Sequence, residues 1–76
     1  MSSQIHSVYF LTTDGWTSDM ARNWLHLHNL SRSKKVHKMG VQLRYRIMDQ
    51  RLFNRFTTQK IISDGRPIYL VLGWND

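Results

Sequence analysis

Four histidines, five aspartates and eleven lysines and arginines are the side chains of this 76-residue chain that could do chemistry. His26 and His28 stand two apart on a predicted helix, so they diverge by roughly 200° and cannot share an ion. His6 and His37 fall on separate predicted strands, and there is no Cys or Glu to complete a ligand set. The plainer reading packs His28 at the helix end near the core and leaves the other histidines in water. Asp14, Asp49 and Asp64 stand at expected turns or caps, where their roles are local. General acid–base chemistry needs a carboxylate or imidazole held in a pocket, and no Gly-rich phosphate loop, nucleophile elbow or spaced pair of acids occurs. The expectation is a protein that is not an enzyme, with no catalytic residue, metal or cofactor.

Charge is the remaining chemistry. Between Arg32 and Arg55 eight basic residues face a single acid, Asp49, a local excess of seven against a net charge of +6 for the whole chain. The rest of the chain is therefore slightly acidic. Such a field attracts polyanions, and planar guanidinium groups suit phosphate oxygens. The candidate nucleic-acid-binding residues are Lys34, Lys35, Lys38, Arg44, Arg46, Arg51 and Arg55. Their expected partner is DNA or RNA held with little sequence preference, or else an acidic protein surface. A solvated charged face that guards an edge strand against aggregation accounts for the same residues. Aromatics do not alternate outward on these basic strands, which argues against base-stacking readout there.

The elements that must position this charge are legible in part. Ile5–Leu11 is β-branched and aromatic and reads as a strand; Thr12 to Gly15 ends it with turn chemistry. Thr17 is a good N-cap, Asp19 complements the helix dipole, and Trp16 is placed to staple onto Ala21. Ala21, Trp24, Leu25 and His28 follow helical spacing, which predicts a helix over 18–28 closed by Asn29 in a left-handed conformation. A loop covers 30–33. Lys34 to Met39 reads as the second strand, and Gly40 turns it into a third, Val41 to Met48. In that third strand Val41, Leu43, Tyr45 and Ile47 face the core, while Gln42, Arg44, Arg46 and Met48 face away. Asp49 caps a short helix over 50–56 with Leu52, Phe53 and Phe56 inward and Arg51 and Arg55 outward. Thr57 to Ile62 reads as a strand, Asp64-Gly65 as a tight turn, and Pro67 to Trp74 as the last strand.

The order β-α-β-β-α-β-β predicts one α+β domain over 1–76, with an antiparallel sheet of four or five strands. Both helices are expected on one face of that sheet. With the penultimate strand as an extra hairpin arm, the best match is the ferredoxin-like split βαβ arrangement. An apolar fraction of 41% with no cysteine fits a small core without disulfides. No charged start with an apolar run opens the chain, and no stretch reaches membrane-spanning length. A soluble, intracellular, non-secreted protein is expected, with neither a membrane nor a small-molecule substrate as partner.

Four segments also carry a resemblance: W-T-x-x-x-A-R-x-W-L-x-x-H at Trp16 to His28, K-K-V-H-K at Lys34 to Lys38, L-R-Y-R-I at Leu43 to Ile47, and F-x-R-F-x-T at Phe53 to Thr58. Together they resemble a small α+β domain of large DNA viruses of eukaryotes and, more loosely, of head-morphogenesis proteins of tailed phages. The likeness spans Ile5 to Gly73. Asn29 departs from it where a Gly is usual, and the loop over 30–33 is more polar than its counterpart. The resemblance implies a viral setting, in the virion or the infected host cell, and brings no activity or functional residue. Three functions remain open: a small basic viral domain that binds nucleic acid through phosphate contacts, a minor structural or assembly protein of a virus particle, and an adaptor or inhibitor of a host protein.

Overall fold

The computed structural model describes residues 2–30 and 36–75. The first strand, β1 (Ser2–Leu11), begins three residues before the apolar run that predicts it. The helix α1 (Ser18–Leu27) is capped as its sequence requires, with Thr17 Oγ1 accepting the Met20 amide at 3.2 Å. Its C-terminus is a Schellman closure. Asn29 takes φ 58°, the Leu30 amide donates to the Leu25 carbonyl at 2.8 Å, and the Asn29 amide donates to the His26 carbonyl at 3.1 Å.

The remaining strands are β2 (Val36–Met39), β3 (Gln42–Arg46), β4 (Arg55–Ser63) and β5 (Arg66–Asn75). They form one sheet in the order β2-β3-β1-β5-β4, and every pairing is antiparallel. Gly40, at φ 59°, turns β2 into β3, and Asp64 and Gly65, both at positive φ, make the tight turn between β4 and β5. The register of β1 against β5 slips between Ile5 and Ser7, so a bulge interrupts alternation at His6.

The helix α1 packs on one face of this sheet. Ala21, Trp24 and Leu25 from α1, with Trp16 before it, meet Val8, Phe10, Leu43, Tyr45 and Ile68 in a common core. Phe10 centres this core, with its ring 4.8 Å from that of Trp16, 6.0 Å from Trp24 and 5.8 Å from Tyr45. The indole donors are satisfied: Trp16 Nε1 donates to the Pro67 carbonyl at 2.9 Å and Trp24 Nε1 to Ser63 Oγ at 3.2 Å. The aromatic burial therefore leaves no unpaired N–H there.

The expected second helix is absent. Asp49 does cap a turn, accepting the Arg51 amide at 3.0 Å, but the turn is a 3-10 segment of three residues, Gln50–Leu52, and Arg55 already opens β4. A seven-residue helix has little stability of its own. Here Arg55 and Phe56 gain ladder partners in Trp74 and Gly73, and the Asn54 amide donates to the Trp74 carbonyl at 2.9 Å. The apolar residues assigned to that helix are redistributed. Leu52 is 53% and Phe56 42% exposed, while Phe53 is buried on the sheet face opposite α1, over Gly73. His6 is buried there too, contrary to its expected solvation. His28, expected near the core, is exposed, although its ring stacks on Trp24 at 4.0 Å.

Candidate polyanion-binding face

Directly opposed residues of an antiparallel ladder share a face, so the register defines what the helix-free face displays. One row crosses the sheet as Arg44 on β3, Tyr9 on β1, Tyr69 on β5 and Lys60 on β4. The next row is Arg46, Ser7, Val71 and Thr58. The alternation predicted for the third strand holds within β3, where Leu43 and Tyr45 are buried under α1 while Arg44 is half-buried and Arg46 exposed on the other side. The strand is shorter than expected, and Val41, expected in the core, lies in the turn before it and is 47% exposed. Among the described residues, no strand contains an acid.

The tyrosines of the first row stack in parallel, with ring centroids 4.9 Å apart and planes 8° from coincidence. Arg44, the ladder partner of Tyr9, lines a cavity of about 240 Å³ together with His6, Met39, Arg46 and Gln50. Arg44 Nη2 donates to Ser7 Oγ at 3.4 Å, and the same hydroxyl lies 3.2 Å from His6 Nδ1. His6 is only 5% exposed, and its Nε2 is buried with no hydrogen-bonding partner among the described residues. The imidazole is enclosed by Phe53 and Phe56, whose ring centroids lie 6.2 and 5.0 Å away in edge-on contacts. Burial, and after it the charges of Arg44 and Arg46, hold its pKa below the usual histidine value, with Asp49 acting in the opposite direction.

The five expected binding residues that are described do not form one patch. Arg44 and Arg46 come together as predicted. Lys38 is paired with Leu43, so alternation sends it to the helix side of the sheet edge. Arg51, expected to project outward one turn from Arg55, grips Asp49 instead, with Nη2 2.9 Å and Nε 3.3 Å from Oδ2. That charge-assisted hydrogen bond, before any other influence, lowers the Asp49 pKa to about 2. Arg55, opposite Trp74 at the sheet end, sits with its guanidinium 4.9 Å from the indole centroid. Lys34 and Lys35 lie outside the described residues. Lys60, Tyr9, Tyr69 and His6 belong to the face, although the sequence does not point to them. Outward aromatics do occur, on β1 and β5 rather than on the basic strands. A second cavity, of about 360 Å³, lies near the start of β1 and is lined by Gln4, Ile5, Asn29, Leu30, Ile47 and Met48, none of them ionisable.

No helix among the described residues is long and apolar enough to cross a membrane. No family model, curated protein or solved structure matches the chain.

Proposed function

We propose that this chain is a small, basic, non-enzymatic domain that binds nucleic acid through phosphate contacts made by its helix-free sheet face. The observation that carries this reading is the placement of Arg44 and Arg46 beside each other on a face whose described strands hold no acid, with Lys60 in the same row as Arg44. A guanidinium fork donates two parallel hydrogen bonds to a phosphate, and two forks on adjacent outward positions of one strand match a chain of phosphates better than a single anion. Arg51, already committed to Asp49, contributes little.

The sheet order supports a finer structural reading. With β4 set aside as an added hairpin arm, β5-β1-β3-β2 follows the strand order of a ferredoxin-like split βαβ unit that keeps only its first helix. In the viral setting implied by the resemblance, the polyanion is the viral genome or a transcript in the infected cell.

The test is a titration of generic single- and double-stranded DNA and RNA over a range of salt. Phosphate binding gives a linear fall of log K with log salt, with a slope of about 0.7 to 0.9 per phosphate neutralised. Failure to bind any of these polymers at low salt removes the reading.

A further inference from the structure

We infer that the helix-free face takes single-stranded rather than duplex nucleic acid, stacking a base on the Tyr9–Tyr69 pair and seating the neighbouring phosphate in the pocket of His6, Arg44 and Arg46. This rests on the phosphate-binding reading above and adds a substrate class and a base-contacting element to it.

The tyrosine pair is the first support. Each ring covers one face of the other at 4.9 Å. The strand order then turns the second face of Tyr9 toward β3 and that of Tyr69 toward β4. Both side chains are half-buried near the middle of the sheet, with Arg44 next to one and Lys60 next to the other. Every base has a π-face, so an aromatic surface flanked by cations takes successive bases without reading their edges. Bases inside a duplex are stacked on each other and reach such a surface only by being extruded.

The pocket is the second, independent support. His6 lines it, and His6 Nε2 is buried with no partner among the described residues. When Ser7 donates to His6 Nδ1 while accepting from Arg44, the tautomer is set with the proton on Nε2. That N–H then lacks only an acceptor. Arg44, Arg46 and Gln50 line the same cavity, which places two guanidinium-bearing residues where an oxygen anion would enter. Arg44 opposes Tyr9 in the ladder, so a residue of the pocket stands one strand away from the stacked rings.

The experiment is fluorescence anisotropy with a labelled dT oligomer and a duplex of equal length, at several salt concentrations. Wild type should prefer the single strand at least ten-fold. Tyr9→Leu with Tyr69→Leu should weaken single-strand binding by about ten-fold, the order expected when base–aromatic stacking is removed, with an unchanged salt slope. Tyr9→Phe with Tyr69→Phe should restore it. Arg44→Ala with Arg46→Ala should instead lower the slope by about 0.7 for each phosphate no longer neutralised. Because the leucine variant could lose its fold, the wild-type protein is also irradiated with an oligomer carrying 5-iodouracil and its adducts are mapped by mass spectrometry. Adducts on Tyr9 or Tyr69 support the inference. Duplex binding as tight as single-strand binding, or adducts confined to other elements, overturns it while leaving the phosphate reading standing. Absence of binding to either polymer at low salt overturns both.

Discussion

Replacing Gly73 with alanine should dislodge Phe53 and loosen the floor of the candidate site. A Cβ built at Gly73 lies 2.3 Å from Phe53 Cγ, 2.4 Å from Cδ2 and 2.6 Å from Cδ1. Carbon atoms rest at about 3.5–4.0 Å, so the overlap is close to an ångström or more along the whole near edge of the ring. Gly73 is not among the residues at positive φ, so backbone conformation adds nothing and the effect is purely steric. The β5 backbone is paired on both sides, to Gln4 on β1 and Phe56 on β4, and so the ring must move. Expelling it forfeits the burial of a Phe side chain, about 1.5–3 kcal/mol, and edge-on contacts with His6 and Phe56 at about 0.5–1.5 kcal/mol each at most. Full expulsion of the ring therefore costs about 2.5–6 kcal/mol, large for a domain of this size, where each kcal/mol moves the Tm by roughly 4–8 °C. Urea unfolding followed by tryptophan fluorescence measures it. The effect is specific to one pair of residues, so a double-mutant cycle with Phe53→Ala decides it: in that background Gly73→Ala should cost little. An equal cost in both backgrounds, or a wild-type-like single variant, refutes the steric account.

Three further outcomes follow from individual interactions. His6 has a pKa lowered by burial and by Arg44 and Arg46, so the unfolded chain binds more protons in the window below its unfolded pKa of about 6.5. Stability should therefore be fully present above that pH and fall on acidification through the folded pKa. His6→Gln should flatten the dependence in urea titrations between pH 5 and 7, and parallel profiles for the two proteins would contradict this. Asn29 holds φ 58° in the helix closure; Asn29→Gly should be neutral or mildly stabilising and Asn29→Val should cost about 1–2 kcal/mol by thermal melting. Arg51 is already paired with Asp49, so Arg51→Ala should reduce polyanion affinity much less than Arg44→Ala in the same salt, and equal reductions would show that the pairing does not withhold its charge.

What the sequence made legible was whatever a short window decides. The Thr17 cap, the left-handed Asn29, the Asp64-Gly65 turn and the alternation of Leu43, Arg44, Tyr45 and Arg46 each depend on residues a few positions apart, and each is present. The segment after Asp49 defeats the same logic, because Leu52, Phe53 and Phe56 have helical spacing while their fate is set by Gly73 and Trp74, about twenty residues away. His6 shows the limit more sharply. Simple alternation puts it on the face of Val8 and Phe10, under the helix; the bulge at that residue turns it to the other face, toward Phe53 and Phe56. The Tyr9–Tyr69 pair needs the register of two strands at opposite ends of the chain, and no local pattern contains it. Among the basic residues, type and density marked the stretch, but pairing decided which charges face a partner: Lys38 is turned away, Arg51 is bound by Asp49, and Lys60 lies outside the stretch altogether.

If Arg44 and Arg46 on the helix-free face hold phosphates, binding must depend on salt through these two side chains. The most direct measurement is the salt dependence of binding to a generic single-stranded oligomer, compared between wild type and the Arg44→Ala, Arg46→Ala double variant, with the fold of both checked by circular dichroism. Wild type should show a steep linear fall of log K with log salt, and the folded variant a shallower slope and weaker binding. An unchanged slope in a folded variant, or a wild-type protein that binds no polynucleotide at low salt, would contradict it.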